Sequence, residues 1–220
     1  MAELIELDGP RHEPMAGGDP EQLVILLHGL GADGDDLIGL APHWAQNLPK
    51  AAFAAPNAPF PCDMAPYGYQ WFSVQDRSPE AMLAGINNVA PSLNAFIDAE
   101  LTRTGLGADK LALVGFSQGT MMSLYVAPRR DAPVVAVVGY SGRLIAPERL
   151  ATETVSRPPV LLIHGEVDDL VPFASMAEAE TGLTGAGFTV ETESRPGQGH
   201  GIDPEGLTRG GDFLRAEFGV

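Results

Sequence analysis

Residues Lys110–Tyr125 read KLALVGFSQGTMMSLY. The apolar run Leu111–Gly115 has the composition of a short buried strand, and the residues after Ser117 read as a helix. Between them lies Gly115-Phe116-Ser117-Gln118-Gly119, a G-x-S-x-G pattern. On a sharp strand-to-helix corner this pattern presents a serine hydroxyl above the edge of a sheet. A side chain at Gly115 or Gly119 would press on the neighbouring strand and helix, where backbones come close. The free N–H groups at the start of the helix add positive potential for a developing oxyanion. Five letters alone also fit a small-residue turn in a strand–helix crossover, so the surrounding chain has to decide.

Outward from this stretch the chain alternates between strand and helix. Glu3–Asp8 alternates weakly, as an edge strand does, and Arg11–Met15 could add a second short strand. Gln22–Leu27, QLVILL, is a continuous apolar run, as expected of a parallel strand buried on both faces. It leads into His28-Gly29-Leu30-Gly31 and an acidic stretch, Asp33–Asp36, that can cap a helix running to about Gln46. Ala51–Ala55 reads as a strand. Asn57–Pro79 reads as a long irregular segment carrying Phe60, Tyr67, Tyr69, Trp71 and Phe72. Pro79–Thr104 has helical spacing with Pro91 as a kink. Pro133–Tyr140 and Pro159–His164 read as strands, Pro172 to about Thr184 as a helix, and Phe188–Glu193 as a strand. Asp203–Phe218 is the last helix, weakened by Gly210-Gly211. The order predicts an α/β fold with a mainly parallel sheet in a single domain, 1–220.

Composition narrows the function. The chain has 220 residues, is 45% hydrophobic and carries a net charge of -16. Nucleic-acid binding needs clustered Lys and Arg, so it is not expected. Stable docking on an anionic membrane is not expected either. Cys62 is the one cysteine, which allows no internal disulfide and fits a reducing compartment. It stands in no context that would activate it as a nucleophile. With no signal pattern and no long apolar run, the reading is cytoplasmic. The oligomeric state is open, a homodimer included.

A serine needs a base, and the base needs an orienting carboxylate. Of His12, His28, His43, His164 and His200, the first and third sit in polar contexts. His28 and His164 each close an apolar strand and read as shaping residues. His200, in Gly197-Gln198-Gly199-His200-Gly201, follows the last strand and can swing over a serine on the neighbouring strand. It also comes last, as the order Ser, acid, His requires. The acid should leave the strand between them. Glu166, Asp168 and Asp169 are all candidates, Asp168 taken first and Asp169 next; the others serve as a helix cap or a solvated turn. The oxyanion donors expected are the amides of Gln118 and Leu30. Trp71 or Phe72 is expected to wall a substrate groove, the alternative being that they anchor their loop on the core. The dispersed histidines suit no metal site, and no cofactor is expected.

LHGLG, GFSQG, HGEVDDLVP and GHG, in that order, resemble the phospholipase/carboxylesterase family of serine hydrolases, over about Leu23 to His200. The resemblance implies an α/β-hydrolase fold without a large cap domain and hydrolysis of small-molecule carboxylic esters or acyl thioesters without a cofactor. It implies Ser117 as nucleophile, His200 as base, Asp168 as acid, and Leu30 and Gln118 at the oxyanion hole. Two departures are visible. Thr120 stands where the family's elbow often continues with glycine, and the acidic GADGDD follows LHGLG where the thioesterases usually have an aromatic residue. These departures favour a bacterial-type carboxylesterase, and a groove walled by Trp71 or Phe72 and open to solvent predicts short to medium acyl chains. An acyl-protein thioesterase or lysophospholipase is the alternative, ahead of a non-catalytic binding protein.

Overall fold

The computed structural model describes residues 4–220. In chain order the strands and helices are β1 (Arg11–His12), β2 (Gln22–Leu27), α1 (Gly34–Ile38), α2 (Ala41–Trp44) and β3 (Ala51–Ala54). A small hairpin of β4 (Phe60–Pro61) and β5 (Tyr69–Gln70) and the long α3 (Pro79–Thr104) follow. Then come β6 (Leu111–Phe116), α4 (Gln118–Val126), β7 (Ala136–Tyr140), α5 (Leu150–Glu153), β8 (Val160–Gly165), α6 (Ala174–Gly185), β9 (Val190–Arg195) and α7 (Pro204–Phe218).

Seven strands form one sheet in the order β1-β3-β2-β6-β7-β8-β9. Only β1 runs antiparallel to its neighbour; the other five pairings are parallel. Period two along each strand divides the core. Leu23, Ile25 and Leu27 face the layer that holds α3, α4 and α6, while Val24 and Leu26 face Trp44, Phe213 and Leu214 on the other side. Both faces are covered, which is why these strands read as unbroken apolar runs rather than alternating ones.

Most expected elements appear within a few residues of their expected ends. Pro91 does not break α3, whose N-cap Ser78 accepts from Ala81 N and whose end is set by Gly105 at φ 70°. Three expectations are corrected. Leu4–Asp8 form no strand, and Glu3 lies outside the described residues. The helix expected from Asp33 to Gln46 is two short helices, since Pro42 has no N–H to continue the ladder from α1. The segment 57–79 is not wholly irregular: β4 and β5 pair within it, Phe60 opposite Gln70 and Pro61 opposite Tyr69. Gly210 and Gly211 also turn out to be contacts. A Cβ at Gly210 would lie 1.9 Å from Tyr140 Oη, and one at Gly211 2.7 Å from Trp44 Cδ1. Those two rings cross α7 there, donating to the carbonyls of Gly206 and Leu207.

The crossover from β6 to α4 is the tightest packing in the sheet's centre. Every residue of α4 is buried. A Cβ at Gly115 would meet Gly119 C at 2.3 Å, and one at Gly119 would meet Leu27 O at 1.8 Å. Both contacts are with backbone, which cannot rotate away. Gly119→Ala is therefore expected to destabilise the protein by about 1–3 kcal/mol or more. Urea unfolding should show a lower midpoint with little change in slope; an unchanged midpoint would show that α4 can shift freely against β2.

Candidate active site

Every residue singled out for chemistry lies at the carboxyl ends of the parallel strands, where ligands bind in open α/β sheets. Leu30 follows β2, Ser117 follows β6, Asp168 follows β8 and His200 follows β9. Ser117 has φ 54° and ψ -113°, in the left-handed half of the map. Such a conformation costs a non-glycine residue about 1–3 kcal/mol and persists only where packing imposes it. Its amide donates to Tyr140 O at 2.8 Å. Ser78, Asp33 and Asp203 all use their side chains to cap the helix that follows. Ser117 does not: it makes no side-chain cap bond to α4. At this corner the first amides of α4 are left without a side-chain cap from Ser117.

Asp168 is the acid that meets a histidine. Its Oδ2 accepts from His200 Nδ1 at 2.7 Å, and its Oδ1 accepts from the amides of Leu170 and Val171 at 2.9 and 2.8 Å. His164 Nε2 faces two acceptors, Val171 O at 2.9 Å and Asp168 Oδ2 at 3.2 Å, so it carries a proton and shares it between them. Burial pushes the Asp168 carboxyl up. The His200 hydrogen bond and the Val171 and Leu170 amides outweigh it, and the group lies below the ordinary carboxylate range. Glu166 and Asp169 point to solvent. Because Nδ1 of His200 donates to Asp168, its Nε2 is left as the basic nitrogen. The imidazole rests on Phe116, the residue before Ser117, with ring centroids 4.8 Å apart. It does so from farther away than expected: β9 is the sheet's edge strand, with β7 and β8 between it and β6. The loop from Pro196 to Gly201 has to reach back along the sheet edge.

The loop that carries Leu30 and the start of α4, where Gln118 lies, also meet here. Gly119 packs on the Leu27 carbonyl, so the start of α4 and the loop after β2 are in contact. Among the described residues the Leu30 amide makes no backbone hydrogen bond, whereas those of Gly31 and Ala32 do. The Gln118 side chain has a separate task. Its Oε1 accepts from Trp71 N at 2.8 Å and its Nε2 donates to Phe72 O at 2.7 Å.

Trp71 and Phe72 differ from expectation. They are 0% and 2% exposed, within the core cluster. The Trp71 indole donates to His28 O, and Phe72 lies on Gly85 of α3. The rings anchor their loop, and neither forms a wall open to solvent. The exposed aromatics are Tyr67 and Tyr69, and Leu170 and Val167 are exposed beside the acid. The sequence does not separate the exposed Tyr69 from the buried Trp71, because exposure within an irregular segment follows no period. Among the described residues no group of three or more His, Cys, Asp or Glu is arranged to hold a metal ion, and no helix is long and apolar enough to cross a membrane.

This geometry meets a matching ancestry. A family model described as phospholipase/carboxylesterase matches residues 15–217. The chain belongs to that family, has the α/β-hydrolase fold and falls in the carboxylesterase class of enzymes. Among its relatives, esterase YpfH of Escherichia coli strain K12 is 30% identical over 197 residues, covering 89% of this chain and 82% of the relative. Acyl-protein thioesterase 1 of Gibberella zeae is 27% identical, covering 89% of this chain and 90% of its own. The crystal structure of esterase PE8 superposes with a TM-score of 0.92 at 42% identity, covering 96% of this chain and 99% of the other.

The depressed pKa of Asp168 makes a prediction with a definite sign. A carboxylate whose folded pKa lies below its unfolded value contributes stability that is present above the unfolded value. That contribution is lost as pH falls through the folded value. Asp168→Asn should be less stable than the parent at pH 7, and the gap should narrow once pH drops below about 4. Urea titrations at several pH values measure it; a gap that stays constant down to about pH 3 would refute the role given to the charge.

Proposed function

We propose that the chain hydrolyses carboxylic esters of short to medium acyl chains by a serine mechanism within one α/β-hydrolase domain. In this reading Ser117 Oγ attacks the ester carbonyl while His200 Nε2 takes its proton. Asp168 holds the imidazole and stabilises its charged form. The oxyanion forms between the amides of Leu30 and Gln118. Collapse expels the alcohol, which takes the proton from His200, and leaves an acyl-Ser117 ester. Water, deprotonated by the same nitrogen, then releases the acid. The observation that carries the reading is the pair of features at one sheet edge. A serine is held at φ 54° and makes no side-chain cap bond to the helix it opens, and His200, paired with the buried Asp168 at 2.7 Å, rests its ring on the phenylalanine before that serine.

Acyl thioesters are the second reading, favoured by the resemblance to acyl-protein thioesterase 1 over 212 residues; the family's description also includes phospholipases. The same nucleophile and hole serve the carboxylic ester and the thioester, so the leaving group is separated by assay.

Ser117→Ala should lower kcat by roughly 10⁴-fold or more and leave the fold intact. A fluorophosphonate probe should label the parent at Ser117 alone. Labelling elsewhere, or near-normal activity in the variant, would sink the assignment.

Acyl selectivity falls to exposed apolar groups flanking the elbow. Tyr69 is tied to the Leu30 loop through its backbone, Gly31 N donating to Tyr69 O at 2.8 Å, and is 38% exposed. Leu170, two residues from the acid, is 64% exposed. Each methylene lying on such a surface contributes at most about 0.8 kcal/mol, and an open surface ends quickly, which suits short to medium chains. Tyr69→Ala and Leu170→Ala should therefore change the ratio of rates for octanoate and acetate p-nitrophenyl esters. Equal scaling of all esters would place selectivity elsewhere.

A further inference from the structure

His28 is 0% exposed and takes no part in the mechanism above. Its ring lies within a set of hydrogen bonds that fixes its tautomer. Nε2 faces the backbone N–H of Ala58 at 2.9 Å, so it has to be an acceptor. The ring proton therefore sits on Nδ1, which faces Gly29 O at 2.7 Å and donates to it. Burial lowers the pKa of the ring, in keeping with a neutral imidazole.

Three consecutive peptide groups after β2 are pinned in this way. The His28 carbonyl accepts from the Trp71 indole at 3.0 Å. The Gly29 carbonyl accepts from His28 Nδ1, with a weaker contact from Ala32 N at 3.3 Å. The Gly31 amide donates to Tyr69 O at 2.8 Å. The middle peptide joins Gly29 to Leu30, and none of the described peptide bonds is cis. In a trans peptide the C=O and N–H point in opposite directions within one plane. Holding the Gly29 carbonyl on one side thus aims the Leu30 N–H to the other, and that amide makes no backbone hydrogen bond among the described residues.

We propose that His28 is a positioning residue: its Nδ1–H holds the Gly29 carbonyl and so aims the Leu30 amide at the oxyanion. This rests on the reading of Leu30 as a hole donor, and the test separates the two. The amide nitrogen of Asn can take the place of imidazole Nδ1. The longer Gln reaches the place of Nε2, where its oxygen can accept from Ala58 N, but it leaves Gly29 O with only the weaker contact from Ala32 N. His28→Gln is expected to lower kcat by about 10-fold to 10²-fold, because a donor displaced by an ångström loses most of its effect. KM should stay within about twofold, as expected when a transition-state interaction alone is lost. His28→Asn should recover most of the loss. Inhibition by a trifluoromethyl ketone, whose hemiketal carries an oxyanion, should weaken in proportion to kcat/KM. A third variant replaces the Leu30 N–H by an ester oxygen, with leucic acid at position 30, and should lose about 10²-fold in kcat.

Wild-type kcat in the position-30 ester would remove Leu30 from the hole. A large loss there beside wild-type kcat in folded His28→Gln, or equal losses in the Gln and Asn variants, would overturn the positioning role alone. If the variants fail to fold, ¹⁵N-histidine spectra of the unaltered protein decide it. At about pH 8 the neutral His28 ring should carry its proton on Nδ1, and a proton on Nε2 would overturn the proposal.

Discussion

The approach of α4 to β2 is the constraint on which the rest of the site depends. The Leu27 carbonyl occupies the space where residue 119 would carry a Cβ, 1.8 Å from that position. Only glycine permits the helix to start there. Because it starts there, the chain has to leave β6 and enter α4 within a single residue, and Ser117 takes up the turn at φ 54°. The same contact brings the first amides of α4 beside the loop after β2. One close packing of backbone on backbone therefore sets the serine's exposure and the distance between the two proposed oxyanion donors. The strain at Ser117 is held by the wholly buried α4 behind it.

Around that corner the polar groups are arranged to hold backbone. Gln118 bonds to the amide of Trp71 and the carbonyl of Phe72, and the Trp71 indole bonds to His28 O. The segment 69–72 thus straps the loop after β2 to the start of α4. Buried polar groups of this kind are costly when unpaired and rigidifying when satisfied. Two His-Gly pairs, at the ends of β2 and β8, use one device twice. His28 bonds to the carbonyl of Gly29, and His164 bonds to that of Val171 while reaching Asp168. At His28 the neutral imidazole offers one donor and one acceptor in a dry interior at a lower desolvation cost than a charged side chain.

The acidic surface stands apart from this interior. Charged groups drawn into the fold are paired: Glu100 is 2% exposed and lies between Arg11 at 2.7 Å and Arg103 at 2.8 Å, tying β1 to α3. Asp168 has its two amides and two histidines. Most of the remaining carboxylates face water, where their mutual repulsion is screened and their contribution is to solubility.

The sequence by itself determined the parts that depend on neighbours along the chain. Apolar runs bounded by glycine and proline marked β2, β6, β7 and β8, because a strand buried on both faces has no polar alternation to obscure it. Ser117, Asp168 and His200 were singled out by their motifs and by their order after the strands, and the fold brings Asp168 and His200 into contact. Local chemistry also separated Asp168 from Asp169 only through a motif match; the fold separates them by turning one to His200 and the other to solvent. What the tertiary structure alone decided concerns distant segments. Trp71 and Phe72 looked suited to a substrate wall because aromatics in a long loop suit one, yet their burial is set by α3, and by α4 and the loop after β2, which lie more than 40 residues away in the chain. The break between α1 and α2 and the β4–β5 pairing were hidden by elements too short to show a period. The task of His28 was hidden for a related reason. A histidine's tautomer is set by the donor facing it, and here that donor is Ala58, 30 residues away in the chain.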